Sequence, residues 1–175
     1  MKTALNKNPH SFKTIRFQDC DPFGHLNNSK YLDYMINVRE DHLIEEYGLN
    51  IFKMAQRDKK SWVVGHTEIA YFKSAQVMEE VMIRTRLIEF SDRHVKAEMV
   101  MTNKEESHVK AVLWSKFYYF DFVANKGTRH TPELMARFED LVVPLEVQNA
   151  ELRAKLLNKS LKERHEKMAA YSIDS

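Results

Sequence analysis

Asp19 and Asp21 stand two positions apart, His25 follows four residues later, and the amides Asn27 and Asn28 come directly after Leu26. Alternate residues of an extended backbone point to the same side, so both carboxylates can face one space. A carboxylate placed there can attack an electrophilic carbon or take a proton from water, and general-base help of this kind is worth about 10²- to 10⁴-fold. Gly24 lets the backbone approach a ligand closely, while Asn28 and Ser29 stand where a helix can begin. The N–H groups of such a helix start carry the positive end of its dipole and can hold a developing oxyanion. His25 can act as a base or polarise a carbonyl, and Asn27 and Asn28 can orient water. The same residues also suit a plain capped turn, in which Asp21 caps or forms an ion pair and the asparagines only tie the backbone. Asp19 is expected to make structural hydrogen bonds. Cys20 lies between the two aspartates, whose charge raises a thiol's pKa, so it is assigned to packing.

These residues must be positioned by the elements around them. Ser11 to Gln18 reads as a short strand that ends at Asp19-Cys20-Asp21-Pro22, where Pro22 has no N–H to give a sheet. From Ser29 to Tyr47 the apolar residues Tyr31, Leu32, Met35, Ile36, Val38, Leu43 and Tyr47 recur at helical spacing, and Gly48 marks the end. A polar connection through Arg57 to Lys60 then leads to four strands: Trp62 to Phe72, Val81 to Phe90, His94 to Thr102 and Val109 to Asp121. Their short polar links suit antiparallel hairpins. Helical material follows Thr131, and beyond Pro144 a charged amphipathic helix carries Val147, Ala150, Ala154, Leu157, Leu161 and Met168. One helix cannot cover both faces of so long a sheet, so the sheet curls around the helix or pairs with a second subunit. The expected class is α+β, with one domain over residues 1–143 and a helical extension over 144–175.

Composition removes several functional classes. Against 27 basic residues stand 25 acidic ones, a net charge of +2 that gives no basic face for nucleic acid. A hydrophobic fraction of 43% with 11% aromatic residues is that of a globular chain. No apolar run reaches the roughly 18 residues of a membrane span, and Met1 to Phe12 does not read as a secretory signal. The single cysteine excludes an internal disulfide and a multi-cysteine zinc site, and points to a reducing cytoplasm. No metal or cofactor is expected.

The stretch Phe17 to Tyr31, FQDCDPFGHLNNSKY, resembles the signature Asp-x-Asp-x-x-Gly-His-Val-Asn-Asn-x-x-Tyr, with Leu26 in the place of Val. This signature belongs to the hotdog thioesterases related to 4-hydroxybenzoyl-CoA thioesterase. The His-Val-Asn-Asn-x-x-Tyr portion is similar to the motif of plant acyl-ACP thioesterases, and Thr67 to Tyr71 sits as in the family's second strand. The resemblance implies an antiparallel sheet wrapped around one long helix, here with an added C-terminal helix. It implies hydrolysis of an acyl thioester, acyl-CoA or an acyl carrier protein ester, to acid and thiol, by a homodimer or higher homo-oligomer with its slot between subunits. Asp21 would form an acyl-enzyme anhydride or act as general base, with His25 and Asn28 as catalytic partners. Gly24, Ser29 and Tyr31 would contact substrate. Arg93 would serve at the slot entrance, among basic residues such as Lys59, Lys60, Lys73 and Lys96 that can meet CoA phosphates.

The chain departs from the family at two places. Ile36, Asn37 and Val38 stand where the family often has a Glu and a small Ala before the arginine matching Arg39, and Phe23 stands where the plant enzymes have Asn. Two other functions therefore stay open: a non-catalytic protein that binds an acyl or other apolar ligand, and an enoyl-thioester hydratase using Asp21 and His25.

Overall fold

The computed structural model describes residues 5–171. Strand β1 (His10–Thr14) precedes the long helix α1 (Asn28–Glu45) and the short helix α2 (Ile51–Asp58). Strands β2 (Lys60–Tyr71), β3 (Glu80–Phe90), β4 (His94–Asn103) and β5 (Val109–Asp121) follow, then the two-residue β6 (Lys126–Gly127), α3 (Pro132–Leu141) and α4 (Ala150–Tyr171). All pairings are antiparallel, in the order β1-β3-β4-β5-β2, with β6 added to β5.

Period-two alternation decides which residues meet α1. Met99 and Met101 of β4, Ala111 and Leu113 of β5, and Val81 and Ile83 of β3 close on Tyr31, Met35 and Val38 of α1 in one buried cluster. Each large side chain buried there contributes about 1.5–3 kcal/mol. The intervening Val112 and Trp114 of β5 face the other way and pack under Ala150 and Ala154 of α4, which are 0% and 1% exposed. β5 is thus covered on both faces, by α1 within and by α4 without. Two alanines let α4 lie close on the sheet. Its first N–H, at Ala150, donates to the Glu68 carboxylate at 2.7 Å, and Arg153 reaches Glu98 on β4 at 3.0 Å.

Three local readings are corrected. The first strand ends at Thr14, and Phe17–Asp19 forms a single 3-10 turn. After the strand, Ile15 donates its N–H to the Glu79 carbonyl and accepts the Met78 N–H, both in the segment just before β3. The cap position of α1 belongs to Asn27, with Asn28 already helical. Helix α2 occupies a stretch with no assigned element. Asn50 starts it by accepting the Lys53 N–H at 2.9 Å, and Lys59 closes it in the left-handed region at φ 54°.

Candidate active site

The loop between β1 and α1 is a tight turn closed by its own aspartate. Oδ1 of Asp21 accepts the N–H of Phe23 at 2.9 Å and that of His25 at 3.0 Å. The Asp21 N–H donates to the His25 carbonyl at 2.8 Å, and Gly24 turns the chain at φ 77°. The loop is fixed to the segment before β3 by Leu26 N–H to the Ala75 carbonyl at 2.9 Å and Val77 N–H to the Gly24 carbonyl at 2.8 Å. Oδ2 of Asp21 has no hydrogen-bond partner among the described residues, and the side chain is only half-buried.

Next to this carboxylate α1 begins without a side-chain cap. Asn27 accepts no bond from the first turn, which leaves the N–H groups of Asn28 and Ser29 without a side-chain acceptor. The Asn28 carbonyl receives the Tyr71 hydroxyl at 2.9 Å, which ties the helix start to the end of β2. Tyr31 is buried, and its hydroxyl accepts the Ala75 N–H at 2.8 Å while its ring meets Tyr71 edge-on at 5.3 Å. Burial pushes the Tyr31 phenol pKa up, so it stays protonated near neutrality.

Asp21, His25, Asn28 and Tyr31 line one pocket of about 370 Å³. Gly24 shapes its loop, while Ser29 is exposed on the first turn of α1. Arg93 does not line this pocket. It lies in the turn between β3 and β4, exposed, 3.9 Å from Asp92. The length of β3, at about 3.3 Å per residue, separates it from the Asp21 loop. Of the basic residues considered for the entrance, Lys73 is the one in the pocket wall. Leu26 and Asn27 also line it, as do Tyr71, Phe72 and Ser74, which no spacing in the sequence marks.

Asp19 is occupied elsewhere: its Oδ2 accepts the Tyr34 hydroxyl at 2.8 Å, and Lys30 stands 3.8 Å from Oδ1. The Cys20 thiol is raised by burial first, then by Asp19 and Asp21, which keeps it protonated and unreactive near neutral pH. Among the described residues no group of three or more His, Cys, Asp or Glu side chains is placed to hold a metal ion.

The family model for the thioesterase-like superfamily matches residues 15–138, well over half of the chain and inclusive of the Asp21 loop. The chain belongs to this superfamily. The match stops short of α4. A curated relative, Protein THEM6 from Danio rerio, aligns over 99 residues at 27% identity, covering 57% of this chain and 48% of that protein. The chain thus spans about half the length of the curated relative it matches. Among solved structures, a probable thioesterase from Escherichia coli superposes with a TM-score of 0.66 at 22% identity, over 77% of this chain and 98% of the other. A 1,4-dihydroxy-2-naphthoyl-CoA thioesterase from Synechocystis gives a TM-score of 0.69 at 14% identity, over 78% and 99%. The fold of this superfamily member is therefore the hotdog arrangement, an antiparallel sheet curled around α1.

Proposed function

We propose that the chain hydrolyses acyl thioesters, with acyl-CoA as the substrate class and Asp21 as the reacting carboxylate. The observation that carries this reading is the division of labour within Asp21: Oδ1 is consumed by the turn, and Oδ2 is left in a polar pocket beside uncapped helix N–H groups. In one route Oδ2 attacks the thioester carbon, the C–S bond breaks, the sulfur leaves and takes a proton, and water cleaves the resulting anhydride. In the other, Oδ2 takes a proton from the water that attacks. Either way negative charge grows on the carbonyl oxygen, where the N–H groups of Asn28 and Ser29 can stabilise it. His25 and the Asn28 amide orient the carbonyl or water, and Lys73 suits the phosphates of CoA.

The assembly we propose is a homodimer or a higher homo-oligomer. β2 ends the sheet, and its 12-residue outer edge has no partner strand among the described residues. A long unpaired edge is a template for a second copy. A single cysteine fits a reducing cytoplasm, and no described helix is long and apolar enough to cross a membrane. The rival reading, an acyl-binding protein without turnover, draws support from an apolar cavity away from Asp21.

The test is thiol release from short, long and aromatic acyl-CoA esters by wild type, Asp21→Asn and Asp19→Asn. Turnover by wild type and Asp19→Asn that is lost in a folded Asp21→Asn supports the assignment. Full turnover by Asp21→Asn, or none by wild type on any CoA or carrier-protein ester, defeats it.

A further inference from the structure

Between the C-terminal half of α1, the helices α2 and α3, and the sheet lies a second cavity of about 340 Å³. This volume is near the lower end of the range of small-molecule sites, about 300–1,000 Å³. It shares no wall residue with the Asp21 pocket. The walls are largely aliphatic and aromatic, with Ile36, Leu43, Trp62, Phe117 and Phe138 among them, and Phe52, Val64 and Phe122 contribute exposed apolar surface.

Three charged residues stand in this wall, Arg39, Glu40 and Arg137, and Arg137 donates to the Tyr47 carbonyl at 3.1 Å. Arg39 is 8% exposed, and its Nη1 has no hydrogen-bond partner among the described residues. Its polar neighbours are the Tyr47 phenol, whose own proton goes to the Asn6 carbonyl at 2.7 Å, and the His42 imidazole, whose pKa it helps to lower. Burial lowers the guanidinium pKa, and no carboxylate among the described residues acts against that shift. Glu40 shares the wall but forms no ion pair with Arg39, and its carboxyl is pushed up by burial and then by Asp41. A guanidinium stays charged in a protein, and a buried cation without a counter-charge is strongly unfavourable.

We propose that this cavity binds an aliphatic carboxylate, its chain along the apolar walls and its carboxylate on the Arg39 guanidinium. A guanidinium offers two parallel N–H donors that match a carboxylate, and such charge-assisted bonds are about twice as strong as neutral ones. The carboxylate can come from a free fatty acid, or from the far end of a dicarboxylic acyl thioester whose reacting end lies at Asp21. Helix α1 rises about 1.5 Å per residue, so Asn28 and Arg39 stand roughly 16 Å apart along its axis. The thioester source rests on the reading under Proposed function; the free-acid source does not.

Trp62 lies in the cavity wall and Trp114 on the opposite face of the sheet, so tryptophan fluorescence reports on filling. Decanoate and decanol are titrated into wild type and Arg39→Met, a variant of similar length whose fold is checked by circular dichroism and thermal melting. Decanoate is expected to bind wild type at least about tenfold tighter than decanol, and Arg39→Met to bind decanol while losing the preference. Equal affinities in wild type, a preference that survives in Arg39→Met, or no binding of either ligand overturns the site. The wild-type comparison decides the matter even if the variant does not fold. Hydrolysis of decanedioyl-CoA in Arg39-dependent preference to decanoyl-CoA supports the site with substrate as the source. Decanoate binding with equal hydrolysis of the two esters supports it with free acid as the source. Failure of every thioester to react sinks the thioesterase reading and leaves the decanoate result standing.

Discussion

Asp21 and His25 are joined twice, by the His25 N–H to the Asp21 carboxylate at 3.0 Å and by the Asp21 N–H to the His25 carbonyl at 2.8 Å. The carboxylate is therefore both a turn cap and the candidate reagent, and substitutions can separate the two roles. Asparagine keeps an oxygen for the Phe23 and His25 N–H groups, so Asp21→Asn should melt close to wild type while turnover falls by about 10²- to 10⁴-fold. Asp21→Ala should lose both, with about 1–2 kcal/mol of stability gone as well. Urea unfolding set beside thiol release reads the split, and equal stability of the two variants would show that the turn does not depend on Oδ1.

The buried histidines give a pH dependence of stability. His42 is bracketed by Ser11 Oγ at 2.9 Å and Thr85 Oγ1 at 2.8 Å, and burial lowers its pKa below the ordinary 6.5. The Trp62 indole donates to Nε2 of His130 at 2.9 Å, which requires that nitrogen to carry no proton, and burial lowers this pKa too. The unfolded chain thus binds more protons than the folded one once pH falls below about 6.5. Stability should be full above that pH, decline below it, and level off below the folded-state pKa values. Urea midpoints from about pH 7.5 down to 5 should show the decline, and His130→Gln should flatten it. A midpoint that stays constant through the window contradicts the account.

Glu98 on β4 is 1% exposed and is held by Arg86, Arg153 and the Trp114 indole N–H, the last at 2.9 Å. Removing the charge from one member of a buried ionic group leaves the others uncompensated, at about 3–5 kcal/mol. Glu98→Gln should lower the unfolding free energy by that amount, read as a lower urea midpoint. A midpoint near that of wild type would make the two arginines bystanders.

Val64 is 57% exposed on β2, whose outer edge has no partner strand among the described residues. A lysine there adds charge where a second copy would pair. Light scattering should find wild type larger than a monomer and Val64→Lys dissociated, with reduced turnover if the active slot needs both subunits. A monomeric wild type that turns over thioesters would remove the interface from the mechanism.

What was legible in the sequence was local. Met99 and Met101 announce β4 by alternation, and Asp21, Gly24 and His25 share one turn that runs directly into Asn28 at the start of α1, so a short motif holds most of their geometry. Tyr71 reaches Asn28 across 43 residues of chain through the pairing of β2 with β5, and no local pattern records that approach. Helix α2 has a clear apolar side in Ile51, Phe52, Met54 and Ala55, but its eight residues make little more than two turns, too short a run for the helical repeat to stand out from a connection. Arg39 was visible as a letter of the family pattern. That its Nη1 is left without a partner among the described residues emerges only when α1 is packed against Tyr47 and the sheet.

The cover that α4 places over Val112 and Trp114 has a consequence for biosynthesis. These residues leave the ribosome well before Ala150 and Ala154 that shield them, since α3 and its connections come between. A nascent chain with β2 to β5 already paired would carry an uncovered apolar face, the kind of transient surface on which chaperones act and aggregates start. Arg153, arriving late, docks onto Glu98 and latches that face shut.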